Sequence, residues 1–312
     1  MSKSIESIAG LNDRFPDEEA CREYFEGIRF RNGEYCPHCG HTAIYRFKDG
    51  KRFRCAGCRR DFTIKTKTVF GESKVSLRKW FLAIYLLTTC RKGISSVQLA
   101  KQVGVTQKTA WFMDHRLREA MKQNGGQLFG TVEIDECYIG GKAKNMHARQ
   151  RRERIIGRGA VGKAPVFGLV QREGDVRATA VANTGMRTIE QHVVTQVQPG
   201  TKLYTDEFAS YSRLGRFFGH ETVQHKIGEY VRDGLIHTNS IESFWALFKR
   251  GYIGIYHWMS EKHLQRYLDE FTYRLNTSNA NFGETFAGIL DRVANTNWLA
   301  YKELTACPDH RK

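Results

Sequence analysis

Four cysteines constrain this 312-residue chain more than any other feature. Cys36 and Cys39 are separated by two residues, fifteen residues follow, and Cys55 and Cys58 repeat the spacing. A C-x2-C pair turns two thiolates toward one point, and two such pairs supply the tetrahedral sulfur shell of a closed structural Zn2+ site. Gly40 and Gly57 fall where a tight turn around a metal asks for backbone freedom. Residues 31–67 cannot bury enough apolar surface alone, so zinc is expected to supply much of their folding free energy. His38 and His41 lie close by, but four thiolates already complete the shell. Cys21, Cys90, Cys137 and Cys307 are isolated and read as packing or surface residues.

The charge has an equally uneven distribution. The chain carries 49 Lys and Arg against 33 Asp and Glu, a formal net charge of +16. Residues 46–67 hold nine cations against two acids, and residues 142–163 hold eight against one. Positive charge gathered on short segments suits a polyanion that releases counterions on contact, whereas solubility is served by interspersed signs. Arg52, Arg54, Arg59 and Arg60, beside Phe53 and Phe62, are the expected phosphate contacts of the ribbon. The 142–163 insert has little apolar content and exceeds any ordinary hairpin connection. It reads as a nucleic-acid-binding arm, with Arg151, Arg152 and Arg154 at its centre. No run of 18 apolar residues is present and "MSKSIESIAG" lacks the apolar core of a secretion signal, so a cytoplasmic protein is expected.

Between ribbon and strands, in residues 74–122, "GISSVQLAKQVGVTQKTAWFMDHRLREAM" has an N-cap serine, an apolar helix, Gly104 and a second helix from Thr106. Ala100, four residues before the glycine, allows close helix crossing, the spacing of a helix-turn-helix. Gln107 and Lys108 would open its recognition helix, where side chains reach base edges.

Asp135 lies on the apolar strand "TVEIDECYIGG", and Asp206 ends the strand "TKLYTD". A carboxylate buried on a strand is costly unless paired or metal-bound. Either could instead be a turn cap or a hydrogen-bonded strand acid, and Glu133 shares the Asp135 face by alternation. In "HTNSIESFWALFKR", Ile241, Phe244, Trp245 and Phe248 recur at i, i+3, i+4, i+7, an amphipathic helix. Asn239 as N-cap and Glu242 three residues on make a capping box. Lys249 follows Glu242 by two helical turns. Glu242 thus has two readings, a cap or a third carboxylate. Three converging carboxylates hold two divalent ions ~3.5–4 Å apart, and hard oxygen ligands suit Mg2+ or Mn2+.

The blocks "FRNGEYCPHCG", "VEIDECYIGGK", "YTDEFASY" and "HTNSIESFWALFKRGYIGIYHWMSEKHLQRYLDEFTYRLN" resemble bacterial insertion-sequence transposases of the ISXO-like type, over nearly the whole chain. The resemblance implies a short helical segment in 1–30, a zinc ribbon, and a DDE-type catalytic domain over 128–290. That domain would be ribonuclease-H-like, a mixed sheet flanked by helices, with a C-terminal helix and tail over 291–312. It implies Asp135 and Asp206 as the first two catalytic carboxylates, and Glu242 as the third, with Asn239 as the alternative. Lys249 and Arg250 would then bind a phosphate. The implied activity is metal-dependent cleavage and joining of double-stranded DNA by a homo-oligomer in the bacterial nucleoid. A non-catalytic DNA-binding regulator and a nuclease without joining activity are the competing classes.

Overall fold

Each zinc knuckle is built on the same backbone device. Gly40 N donates to Cys36 O at 2.8 Å, and Arg59 N donates to Cys55 O at 3.0 Å. The residue after each second cysteine is left-handed, Gly40 with φ +78 and Arg59 with φ +58. The conformational freedom expected of Gly57 is therefore used at Arg59. Gly57 is needed for space, since a Cβ there would lie 2.3 Å from His41 Cδ2. Strands β1 (Ile44–Arg46), β2 (Arg52–Cys55) and β3 (Asp61–Thr63) form an antiparallel ribbon. Its apolar layer is Phe53 stacked on Phe62, ring centroids 5.3 Å apart.

The computed structural model describes residues 5–123, 125–141, 147–149, 152, 162–223, 232 and 236–306. Two compact units emerge, Met1–Lys122 with Thr277–Lys312, and Gln123–Asn276. In the first, helices α1 (Ile8–Arg14), α2 (Glu18–Arg29) and α3 (Leu77–Thr89) accompany the ribbon. Helices α4 (Ser96–Val103) and α5 (Gln107–Ala120) follow as the helix-turn-helix pair, capped by the Ser95 and Thr106 side chains. Gly104 ends α4 at φ 69, where its N–H and that of Val105 both donate to Ala100 O. Most of the 142–163 insert, Arg151 and Arg154 included, lies outside the described residues.

Residues 277–290, expected to close the catalytic domain, belong to the first unit instead. Phe286, Ile289, Leu290 and Val293 form a buried stripe at helical spacing on Phe282–Asn295. Phe286 packs against Phe15 and Phe81, and Val69 N donates to Val293 O. Apolar burial outweighs chain proximity in deciding where this helix goes.

The second unit is a five-stranded sheet in the order β6-β5-β4-β7-β8. The central strand β4 (Thr131–Ile139) is antiparallel to β5 (Ala164–Gln171) and parallel to β7 (Lys202–Thr205). Beyond them lie β6 (Val176–Ala180), antiparallel to β5, and β8 (Gly219–Thr222), parallel to β7. Alternation divides β4 between two layers. Val132 and Ile134 pack with Phe167 and Leu169 under α6 (Met186–Gln196). Cys137 and Ile139, from the other face, pack with α7 (Asn239–Gly251) and α8 (Glu261–Asn276) through Ile241, Phe244, Phe248, Leu268 and Phe271. A mixed sheet flanked by helices in this way is the ribonuclease-H-like arrangement. No helix among the described residues is long and apolar enough to cross a membrane.

Gly168 sets how closely α7 approaches. It pairs with Asp135 across β4 and β5, and a Cβ there would lie 2.5 Å from Trp245 Cζ2 and 2.7 Å from Ile241 Cδ1. Gly168→Ala is therefore expected to cost about 1–3 kcal/mol through overpacking. Urea unfolding measures it, and an unchanged midpoint would show that the helix has slack.

Candidate active site and zinc centre

Asp135 sits in the middle of β4, on the face that carries α7. Asp206 is the first residue beyond β7. The parallel ladder pairs Thr131 with Lys202, Val132 with Leu203 and Glu133 with Tyr204. Carried on in the same step, that register sets Asp206 beside Asp135. Asp206 Oδ1 accepts from Phe208 N at 2.9 Å, which turns the chain sharply away from the strand.

Glu133 decides where the third acid stands. Its side chain is 0% exposed. Its oxygens accept from Ser240 N at 2.8 Å, Ile241 N at 3.1 Å and Ser240 Oγ at 3.0 Å. Arg172 Nε donates to it at 3.0 Å, and His237 Nδ1 lies 3.3 Å away. Arg172 also stacks over Tyr204 and donates to His237 O. A strand carboxylate thus satisfies the open amides of α7 and meets the positive end of its dipole. The capping box expected of Asn239 and Glu242 is not formed. Thr238 is the cap residue and has no side-chain cap bond, while Asn239 is the first helical residue and is exposed. The Thr238 hydroxyl instead donates to Glu242 Oε1 at 3.0 Å.

Released from capping, Glu242 belongs electrostatically with the aspartates. Burial raises the Asp135 carboxyl, and Glu136, Asp206 and Glu242 add to it, pushing it up to about 8. Glu136 is also raised by burial and by Asp206, against the Tyr211 hydroxyl that donates to its Oε2 at 2.5 Å. Tyr211 is a participant that residue-level reading passed over, although it closes the quoted block "YTDEFASY". Its bond joins the turn after Asp206 to the residue after Asp135.

Among the described residues, the four cysteines are the group whose metal-binding atoms all lie within 4.8 Å of one another. The oxygens of Asp135, Asp206 and Glu242 are therefore more widely spread. Oxygens on one ion lie within about 4 Å, but those on opposite ions of a pair can be about 8 Å apart. The sulfurs of Cys36 and Cys58 are 3.7 Å apart and those of Cys39 and Cys55 are 3.5 Å apart. A tetrahedron with 2.3 Å arms requires about 3.8 Å, so the cluster fits zinc. The Cys58 N–H, with the neighbouring thiols, lowers the Cys55 thiol to about 6, toward the thiolate a metal takes.

The cationic candidates are arranged differently from one another. Lys249 is exposed, and its ammonium lies near enough to the sheet to oppose the rise that burial imposes on the Cys137 thiol. Arg250, Arg59, Arg60, Gln107, Lys108 and Arg152 are exposed. Arg52 and Arg54 are exposed but paired with Asp49 and Asp61. Gln107 donates to Ser96 Oγ, and Lys108 lies over the Tyr301 ring.

Because Glu133 holds four donors in a dry site, Glu133→Ala should cost about 3–5 kcal/mol by leaving Arg172 and the helix amides without their acceptor. Chemical denaturation with tryptophan fluorescence reads this directly. A loss under 1 kcal/mol would mean that water replaces the carboxylate.

Comparison with known proteins agrees with this architecture. Residues 127–276 match the model of the ISXO2-like transposase domain, and residues 16–61 match the transposase zinc-ribbon domain. An uncharacterised protein in transposable element ISH50 of Halobacterium salinarum is 34% identical over 272 residues, 83% of this chain and 91% of that protein. The element of that relative is archaeal, where the sequence had suggested a bacterial one. With both domains matched in order and a relative aligned almost end to end, the chain belongs to the ISXO2-like family of insertion-sequence transposases.

Proposed function

We propose that this transposase cleaves DNA at the ends of its element and joins the freed ends to a target, with Asp135, Asp206 and Glu242 as the catalytic carboxylates. The observation that carries the reading is the Asp135 carboxyl, raised by burial and then by the charges of Glu136, Asp206 and Glu242, in a protein of net charge +16. A half-buried carboxylate such as Asp135, crowded by like charge, is unfavourable without cations, and hard oxygen donors suit Mg2+ or Mn2+. Two such ions, when bound, supply a metal-activated water or 3'-hydroxyl and stabilise the leaving oxygen of an in-line displacement. Asp135 and Asp206 would hold the ions from adjacent parallel strands, and Glu242 would hold one from the helix. Asn239 is the weaker candidate for that third position, because it adds no charge to the cluster.

The remaining groups position this set. Glu133 fixes the start of the helix, so Glu242 keeps its place relative to Asp135. The Tyr211–Glu136 bond holds the turn after Asp206 against the end of β4. Arg250 and Lys249 would guide the phosphates, and the ribbon arginines, Gln107, Lys108 and the basic insert would bind flanking duplex. Exposed ion pairs such as Arg52–Asp49 are worth little, so a phosphate can displace the acid. A homo-oligomer holding both element ends at once is part of this reading.

The test uses supercoiled DNA carrying the inverted repeats that flank the coding region, with Mg2+ or Mn2+. Asp135→Asn and Asp206→Asn should each lower cleavage and joining on the order of a thousandfold while DNA binding persists. Glu242→Gln should do the same and Asn239→Ala should not. Recovery of freed 3' ends covalently joined to a second DNA separates transposition from cleavage alone. Wild-type rates in both aspartate variants would remove the proposed centre.

A further inference from the structure

The helix that carries Glu242 continues into an exposed track that the chemistry above leaves unexplained. Glu242, Ala246, Lys249, Arg250 and Ile253 stand at i, i+4, i+7, i+8 and i+11, and all are exposed. They make one stripe about 16 Å long. At its far end the backbone departs from α-helical geometry. Tyr252–Tyr256 is a π-helical turn, and His257 takes φ 58, ψ −32. The Trp258 N–H closes on Tyr256 O at 2.6 Å, a one-residue reversal.

A non-glycine residue in that conformation persists only where its surroundings hold it. Here they do. Tyr256 Oη donates to Glu270 Oε1 at 2.6 Å, and Arg274 Nη1 donates to the same oxygen at 2.5 Å. The Tyr256 ring packs on Tyr267 with centroids 4.8 Å apart, and Met259 is buried on the other side of the reversal. This anchored turn presents an indole to solvent. Trp258 is 65% exposed and Ile253 is 63% exposed, among the most exposed large hydrophobic residues described. Folding gains nothing from either, so an external partner is the economical explanation.

We infer that Trp258, five residues beyond Ile253 in the chain, is a stacking platform for an unpaired nucleobase of the DNA strand whose phosphates pass Arg250 and Lys249. The inference rests on the reading of Glu242 as part of a DNA active centre. The stripe links the two places, and at the base spacing of one strand its length spans about five nucleotides. Cations along the stripe suit a polyanion and would repel the same stripe on a second copy of this chain. A flat indole stacks on any open base face, whereas paired bases in a duplex offer only their edges.

The test uses the full-length zinc-loaded protein, without added Mg2+ or Mn2+, and two fluorescent probes. One is a short blunt duplex, and the other is the same duplex with a single-stranded dT tail. Trp258→Ala should weaken binding of the tailed probe about 5- to 150-fold and leave the blunt duplex unchanged. Trp258→Phe should retain most of the tailed-probe affinity. Arg250→Ala should weaken both probes and reduce the salt dependence. Equal loss on both probes, or no loss on either, overturns the platform. Impaired self-association in sedimentation with DNA binding intact overturns it too and assigns the patch to a second copy. Since no catalysis is read, active Asp135→Asn and Asp206→Asn proteins would refute the carboxylate centre without touching this result.

Discussion

The buried carboxylate of Glu133 is the interaction on which the catalytic unit depends. It joins the central strand, the residue after β5 and the first turn of α7 through one desolvated group. A charge in so dry a position is tolerable only when fully hydrogen-bonded, and here helix amides, a hydroxyl and a guanidinium do that. The consequence is geometric. From Glu133 to Cys137 the strand advances about 13 Å, and from Ser240 to Lys249 the helix advances about 13.5 Å. The first end of that match is a bond, Ser240 N to Glu133, and at the second the Lys249 charge acts on Cys137. Glu242 and Asp135 lie between those ends, on facing surfaces held in register. Gly168 completes the arrangement by removing the side chain that would hold the helix off.

Much of this was legible in the chain because the signals are local. Two-residue alternation in "TVEIDECYI" and the 3.6-residue stripe through Ile241, Phe244, Trp245 and Phe248 are properties of short windows. So is cysteine spacing, since four thiolates in two knuckles admit few geometries. The capping box failed for the opposite reason. Asn239 and Glu242 carry the right residue types, but the amides were taken by an acid 107 positions away, which no window reveals. That loss is informative, because it leaves Glu242 for another role and shows Glu133 holding the start of the helix. The helix Phe282–Asn295 follows the same rule, since its stripe of Phe286, Ile289, Leu290 and Val293 is buried by residues such as Phe15 and Phe81, far earlier in the chain. At the second knuckle the error was local. An arginine occupies the left-handed position that glycine was expected to fill, and Gly57 answers to the His41 ring.

Charge in this protein works at two scales. Its excess of cations is a long-range attraction for DNA, screened by salt and indifferent to sequence. The acids are concentrated against that background where β4, β7 and α7 meet, and there burial, with the charges of Glu136, Asp206 and Glu242 added to it, raises Asp135 to about 8. A chain rich in cations that gathers acids at one place suits a metal-dependent DNA enzyme, since phosphate would be drawn in and metal ions would receive it. Zinc has no part in that centre. The thiolate cluster holds the ribbon, in which the stacked Phe53 and Phe62 form too small a core to fold alone.

The claim at the centre is that three side chains distant in sequence share divalent cations. Anomalous diffraction at the manganese edge, from crystals of the zinc-loaded protein soaked in Mn2+, examines it without reference to turnover. Two peaks about 4 Å apart, bounded by Asp135, Asp206 and Glu242, are the expected result. Manganese bound elsewhere, or none between these residues while the ribbon retains its zinc, would contradict it.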